Sequence, residues 1–165
     1  PGPGVLKALL CHLGKLTTTV DIEPSIEPDV VADVTSLPFG DNSFDACLAF
    51  EVLEHIPFTQ FRKAILEMTR VSSRYVIISI PSMEHIRRRR ISVSISIGGR
   101  QAKLTLFRGF LPKGLGSPNE HYWEIGARGC ATRKEVLDAL CDCGLVLKAT
   151  DFVEPWNYYF LLEKK

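Results

Sequence analysis

No stretch of this chain approaches the roughly 20 consecutive apolar residues that a membrane-spanning helix needs. Net charge is also nearly absent, at +1, so no overall field draws the protein to nucleic acid or to an anionic membrane surface. No nucleic-acid partner and no stable membrane insertion are expected. The sequence has no internal repeat and no low-complexity tract. Its first residues, Pro1-Gly2-Pro3-Gly4, lack the basic and apolar segments of a signal peptide. A disulfide framework is not indicated either. The cysteines number five. Cys11, Cys47, Cys141 and Cys143 fall in apolar-periodic segments and Cys130 in a glycine-containing loop. That pattern reads as reduced, mostly buried thiols in a cytoplasmic protein. Cys141-Asp142-Cys143 lacks the further Cys or His pair that a four-ligand zinc site requires, so no metal is expected.

What is present is an ordinary globular composition. With 165 residues, 45% hydrophobic and 24% charged, the chain has enough material for one domain with a real core. Leu6, Leu9, Leu10 and Leu13 recur at helical spacing, which predicts an amphipathic helix over 4–14 capped by Gly14. "LTTTVDI" predicts a strand ending near Asp21, "EPSIEP" a loop, and "DVVADV" a short strand. "FDACLAF" is a continuous apolar run, as expected of a buried parallel strand. "TQFRKAILEMTRV" predicts a helix with Phe61, Ala64, Ile65 and Met68 on one face and Thr59 as its cap. "RYVIISIP" reads as a second buried strand. In "TRKEVLDALCDCG" a capping box of Thr132 and Glu135 starts a helix with the stripe Val136, Ala139, Leu140, Cys143, and Gly144 ends it. Two strands, "LVLKATDFVE" and "YYFLLEK", close the chain and are expected to be antiparallel. The alternation predicts an α/β fold: a Rossmann-like, mostly parallel sheet with helices on both faces and an antiparallel C-terminal strand.

Residues 82–131 break this alternation. "ISVSISI" and "RQAKLTLF" flank Gly98-Gly99 and predict a hairpin over 91–106. A stretch rich in glycine, proline and aromatics follows. The segment is too short to bury a core of its own. It is expected to be a lid or substrate segment inserted within a single domain, or a surface through which two copies form a homodimer.

The glycines at the start suggest a nucleotide-type loop, but a dinucleotide fingerprint would put its third glycine at position 7, which is Lys7. Acids carry more information. Asp21 and Asp33 are expected at the ends of successive strands, at the edge where open parallel sheets bind ligands. Asp21 can accept hydrogen bonds from vicinal ribose hydroxyls, and Asp33 from an adenine amino group. Two acids without a phosphate-binding Lys or Arg suggest an adenosine ligand that carries no phosphates.

"PGPG", "VDIE", "ADVTSLPFGDNSFDACLAFEVLEHI" and "RYVIISIP" together resemble a class I S-adenosylmethionine-dependent methyltransferase. The likeness is greatest to the small-molecule type near the ubiquinone and menaquinone methyltransferases, and it spans about half the chain. The resemblance implies S-adenosyl-L-methionine as cofactor. Gly2 and Gly4 would lie under its amino-acid part, Asp21 on its ribose, and Ile22 over one adenine face. Asp33 and the Val34 backbone would face the adenine amino group, and Phe50 and Glu51 would line the methionine end. In this family a first strand ending in an acid precedes the glycine loop. The resemblance therefore implies a chain lacking that strand, with a gap in the sheet between the strands ending at Asp21 and Phe50.

Methyl transfer from a sulfonium needs alignment and exclusion of water more than chemical help. Where the acceptor must lose a proton, His55 in "LEHI" is the candidate base. His121, Tyr122 and Trp123 in "EHYWE" are candidates for the walls of a small-molecule acceptor site. After the fourth strand stands "AFEV" rather than the Asn/Asp-Pro-Pro-Tyr/Phe run of amino-group methylases, so an oxygen or carbon acceptor is favoured over nitrogen. Arg87 to Arg90 read as a solvated loop or a contact for an anionic group. A second class of function stays open: a methyltransferase-like fold that binds a partner without catalysis.

Overall fold

The computed structural model describes residues 4–84, 90–97, 100–107, 121–153 and 157–165, with 90–97 and 100–107 described as backbone. Gly2, Arg87, Arg88, Arg89, Gly98 and Gly99 lie outside the described residues, as do the side chains of the 91–106 hairpin. The elements are α1 (Val5–His12), β1 (Val20–Asp21), β2 (Val30–Val31), β3 (Phe44–Ala49), α2 (Phe58–Val71) and β4 (Ser72–Pro81). They continue with β5 (Arg90–Ile97), β6 (Arg100–Phe107), α3 (Arg133–Asp142), β7 (Leu145–Val153) and β8 (Asn157–Lys164). Short 3-10 turns occupy Pro24–Ile26 and Leu53–His55.

Four strands form the main sheet in the order β3-β4-β8-β7. β3 and β4 are parallel, and β8 pairs antiparallel with both β4 and β7. β1 and β2 form a separate parallel pair and are not hydrogen-bonded to β3. The expected α/β sheet with an antiparallel C-terminal strand, β8, is therefore present, but among the described residues α2 and α3 cover one face of it rather than helices covering both. The β5–β6 hairpin is present too, as its own two-stranded sheet.

The core lies on one face of the main sheet. Val76, Ile78 and Ile80 of β4 and Phe160 and Leu162 of β8 point to it at period two. Phe61, Ala64, Ile65 and Met68 of α2 and Val136 and Leu140 of α3 cover them, and all are buried. Each fully buried aliphatic or aromatic side chain contributes about 1.5–3 kcal/mol. The opposite face, with Ile77, Tyr159 and Leu161, is half-buried. β3, which pairs with β4 alone among the described residues, is likewise mostly half-buried rather than the fully buried strand its apolar run suggests.

Helix termini follow their local chemistry with one exception. Thr132 caps α3 in a complete capping box with Glu135, and Gly14 and Gly144 take the left-handed conformation after α1 and α3. Thr59, expected to cap α2, lies inside it. Pro57 occupies the N-cap, where its fixed φ leads the chain into the helix without a side-chain bond. α1 forms as predicted, but none of its residues is buried. It is tied instead by Lys7, whose Nζ donates to Asp29 at 2.7 Å. The thiols are free, as expected, yet less buried: Cys11 and Cys141 are exposed, Cys47 and Cys130 intermediate, and Cys143 alone is buried.

The excursion over 82–131 is not peripheral throughout. Its last part returns to the main sheet at residue 121. Ile125 bridges Ser82 in parallel, its N–H donates to the Pro81 carbonyl, and the Met83 N–H donates to the Ile125 carbonyl. Trp123, Ile125 and Ala131 belong to the core.

Candidate functional site

Parallel pairing puts the carboxyl ends of β1 and β2 side by side, with Asp21 opposite Val31 and Asp33 just beyond. Both acids are partly exposed. The Asp21 carboxylate accepts from the Glu23 N–H at 3.0 Å, and Asp33 from the Thr35 N–H at 2.7 Å. These turns anchor one oxygen of each acid at a strand end. Ile22 is largely exposed beside Asp21, whereas Val34 packs against the core. Gly4 opens α1 with φ +74°, and a Cβ there would meet nothing within 4 Å. The start of α1 has no side-chain cap, so its N–H groups suit a ligand carboxylate. This donor and acceptor set fits the adenosine and amino-acid ends of a sulfonium nucleoside.

β3 ends at Ala49, and the chain turns sharply after it. Glu51 has φ +53°, a left-handed conformation that a non-glycine residue adopts at a cost. Two bonds to β4 hold it there. Its N–H donates to Ser79 Oγ at 3.1 Å, and Ser79 Oγ donates to Glu51 Oε1 at 3.0 Å. Phe50 packs against Tyr159, with ring centroids 5.8 Å apart.

The turn over 53–56 receives the returning segment. The Tyr122 N–H donates to the Glu54 carbonyl at 2.8 Å. The Trp123 indole N–H reaches both the Leu53 and Ile56 carbonyls at 3.1 Å. Consequently the His55 and His121 rings meet edge to face, 4.9 Å apart. His121 Nδ1 lies 3.0 Å from Glu124 Oε1. Beside them stands Glu54, whose side chain is fully buried. Its Oε1 is 4.0 Å from His55 Nε2, and neither carboxylate oxygen meets a hydrogen-bond donor from another described residue. Burial pushes the Glu54 carboxyl up to about 7, and the neighbouring Glu51 carboxylate pushes the same way. Its own backbone N–H and the His121 ring pull it back.

Among the sequence candidates, His55 and His121 are thus brought together, and Asp21 and Asp33 share one strand-end edge. Trp123 requires a correction. It is 3% exposed and packs against Phe58 and Phe61. It is a core residue rather than an acceptor wall, because its large apolar ring and single N–H are both satisfied by the turn it covers. Tyr122, beside it, is 68% exposed. Glu54, Ser79 and Glu124 were not singled out from the sequence. The signal for the two acids was an acidic residue flanked by apolar neighbours, in "VLEHI" and "YWEIG".

Residues 1–78 match the family described as a methyltransferase domain. No curated protein sequence matches the chain. Solved structures do. A protein from Pyrococcus horikoshii OT3 superposes at a TM-score of 0.65 and 15% identity, over 98% of this chain and 77% of that one. The 1,6-didemethyltoxoflavin-N1-methyltransferase of Burkholderia thailandensis, solved with bound 1,6-didemethyltoxoflavin and S-adenosylhomocysteine, gives 0.65 at 13% identity, over 99% and 68%. An S-adenosylmethionine-dependent methyltransferase from Methanosarcina mazei gives 0.62 at 17%, over 98% and 87%. At these identities the likeness establishes the fold. Among the described residues no helix is long and apolar enough to cross a membrane.

Proposed function

We propose that this class I S-adenosylmethionine-dependent methyltransferase methylates a small molecule at oxygen or carbon. The observation that carries the reading is the pair of acids, Asp21 and Asp33, at adjacent carboxyl ends of parallel β1 and β2 within the matched domain. Asp21 holds the ribose hydroxyls. Asp33, with the Val34 backbone, holds the adenine amino group, and Ile22 covers the ring. Gly4 and the uncapped start of α1 take the amino-acid end, with Phe50 and Glu51 beside it. Carboxylates here face a ligand with a positive sulfur and no phosphate, so their charge favours binding. The cofactor supplies an already activated methyl group.

On the acceptor side stand His55, His121 and Tyr122. The side chain of His55 is 47% exposed, which leaves its imidazole able to take a proton from an acceptor hydroxyl. "AFEV" after β3 supports oxygen or carbon over nitrogen as the methylated atom. The free thiols suit a reducing compartment such as the cytoplasm. The β5–β6 hairpin is the segment through which an acceptor or a second copy would be contacted.

Calorimetric titration with S-adenosylhomocysteine tests the cofactor site. Asp21→Ala should weaken binding by roughly 1.5–3 kcal/mol, the scale of hydrogen bonds to a charged group. Equal binding by the variant would remove Asp21 from the site. Transfer of labelled methyl to a panel of phenolic, enolic and amine acceptors then tests the acceptor class, and an amine preference would overturn it.

A further inference from the structure

The cluster at the 53–56 turn holds more than methyl transfer requires. Glu54, His55 and His121 each present one ligand atom, and these atoms lie within 4.8 Å of one another. Glu54 is wholly buried, and neither oxygen meets a donor from another described residue. Protonation repairs this only in part: a neutral Glu54 carboxyl could donate to the neighbouring Glu51 carboxylate, but its other oxygen would still meet no donor from another described residue. A cation would satisfy the carboxylate directly.

Two further features point the same way. His121 Nδ1 faces the buried Glu124 carboxylate at 3.0 Å. With Nδ1–H donating to Glu124, Nε2 keeps its lone pair for ligation, the arrangement by which carboxylates commonly orient metal-binding histidines. Glu51, two residues before the turn, is held in a strained backbone conformation by Ser79 and adds negative charge beside Glu54.

We propose that Glu54, His55 and His121, with Glu124 behind, form a binding site for a divalent first-row transition cation. Two imidazoles with a carboxylate suit Mn²⁺, Fe²⁺, Co²⁺ or Zn²⁺ better than Mg²⁺ or Ca²⁺, which prefer all-oxygen sets. Ligand atoms bonded to one such ion at ~2.1 Å are at most about 4.2 Å apart. Three ligands on one ion must lie closer than that trans limit, so side-chain rotation on the order of 1–2 Å is needed to close the site. Two or three coordination positions remain for water or an acceptor oxygen. In the cation-bound protein His55 is a ligand and has no lone pair for a proton. A bound cation would itself lower the pKa of a hydroxyl coordinated to it. Cation binding goes beyond the methyl-transfer reading and is decided without cofactor or acceptor.

The test uses tag-free protein, stripped with chelator and titrated with Co²⁺ while visible d–d absorption is recorded, with Mn²⁺, Zn²⁺ and Mg²⁺ as competitors. One saturable Co²⁺ per chain is expected, displaced by Zn²⁺, by Mn²⁺ only in excess, and by Mg²⁺ only at a still larger excess than Mn²⁺. Glu54→Gln and His121→Asn should each weaken it at least 100-fold. Glu124→Gln, a positioning residue, should weaken it about 10- to 100-fold. Cys141→Ser should leave it unchanged. Absence of a d–d band, unaltered affinity in folded Glu54→Gln and His121→Asn, loss in Cys141→Ser, or tighter Mg²⁺ than Mn²⁺ binding would each overturn the proposal. If the buried Glu54→Gln fails to fold by circular dichroism, His55→Gln at the surface decides in its place. A tenfold or greater loss supports the site, and unaltered affinity overturns it.

Discussion

The Trp123 indole N–H donates to the Leu53 carbonyl at 3.1 Å across 70 residues of chain. Its second acceptor, the Ile56 carbonyl, lies at the same distance. One side chain thereby closes the turn that carries Glu54 and His55 and fixes the segment that carries His121.

Trp123→Phe should keep most of the ring packing and lose both hydrogen bonds. Two buried carbonyls are then unmet, and urea denaturation should show a loss of about 1–3 kcal/mol. Trp123→Ala also opens a cavity beside Phe58 and Phe61 and should cost about 3–5 kcal/mol. If Trp123→Ala keeps full stability, the ring is not part of the core.

Gly126 and Gly144 form a matched pair for testing the returning segment. Both have positive φ, +73° and +79°. A Cβ at Gly144 meets nothing within 4 Å, whereas one at Gly126 would stand 2.7 Å from Glu84 Cγ. Glu84 is not free to swing away without cost, since its Oε2 accepts from the Tyr158 hydroxyl at 3.1 Å. Gly144→Ala should cost about 1–2 kcal/mol, from backbone strain alone. Gly126→Ala should cost measurably more in the same urea titrations.

Glu67 links stability to pH. Its carboxylate accepts from Arg70 Nη2 at 2.8 Å and from the Leu37 N–H at 2.9 Å, and Arg70 in turn donates to the Leu37 and Phe39 carbonyls. The Arg70 guanidinium holds the Glu67 carboxyl down to about 2. A depressed carboxylate contributes its stability above the unfolded value of about 4.3 and loses it as pH falls toward the folded value. Thermal melts of wild type and Glu67→Gln should therefore differ at pH 7 and converge between about pH 4 and pH 2. A difference that persists unchanged at pH 2 would contradict the network.

Thr132→Ala removes the side-chain oxygen that accepts from the Glu135 N–H at 3.2 Å and donates to Glu135 Oε2 at 2.8 Å. A loss of about 1 kcal/mol is expected. No residue assigned to the cofactor lies on α3, so cofactor affinity measured by calorimetry should not change.

Several elements were legible because their signals are local. The capping box at Thr132, the glycine after α3, the α2 stripe and the antiparallel pairing of the last two strands each depend on spacing within one or two elements. Thr59 shows the limit of that reading. A hydroxyl two residues past Pro57 looks like a cap, but proline had already set the entry to the helix. α1 shows another: its leucine stripe predicts a helix correctly, yet periodicity says nothing of which surface, if any, covers it.

The site divides in the same way. Sequence by itself determined the strand-end acids, since Asp21 and Asp33 stand where apolar strands stop and their place follows from chain order along parallel strands. It also determined the family resemblance, which resides in contiguous residues. Only tertiary structure decided that Trp123 is core, that Glu54 is buried with its oxygens unmet by any other described residue, and that His121 meets His55. Those facts depend on where the chain returns after the excursion. The return is set by carbonyls at Pro81, Leu53 and Ile56, backbone groups that are the same in every sequence and leave no mark in this one.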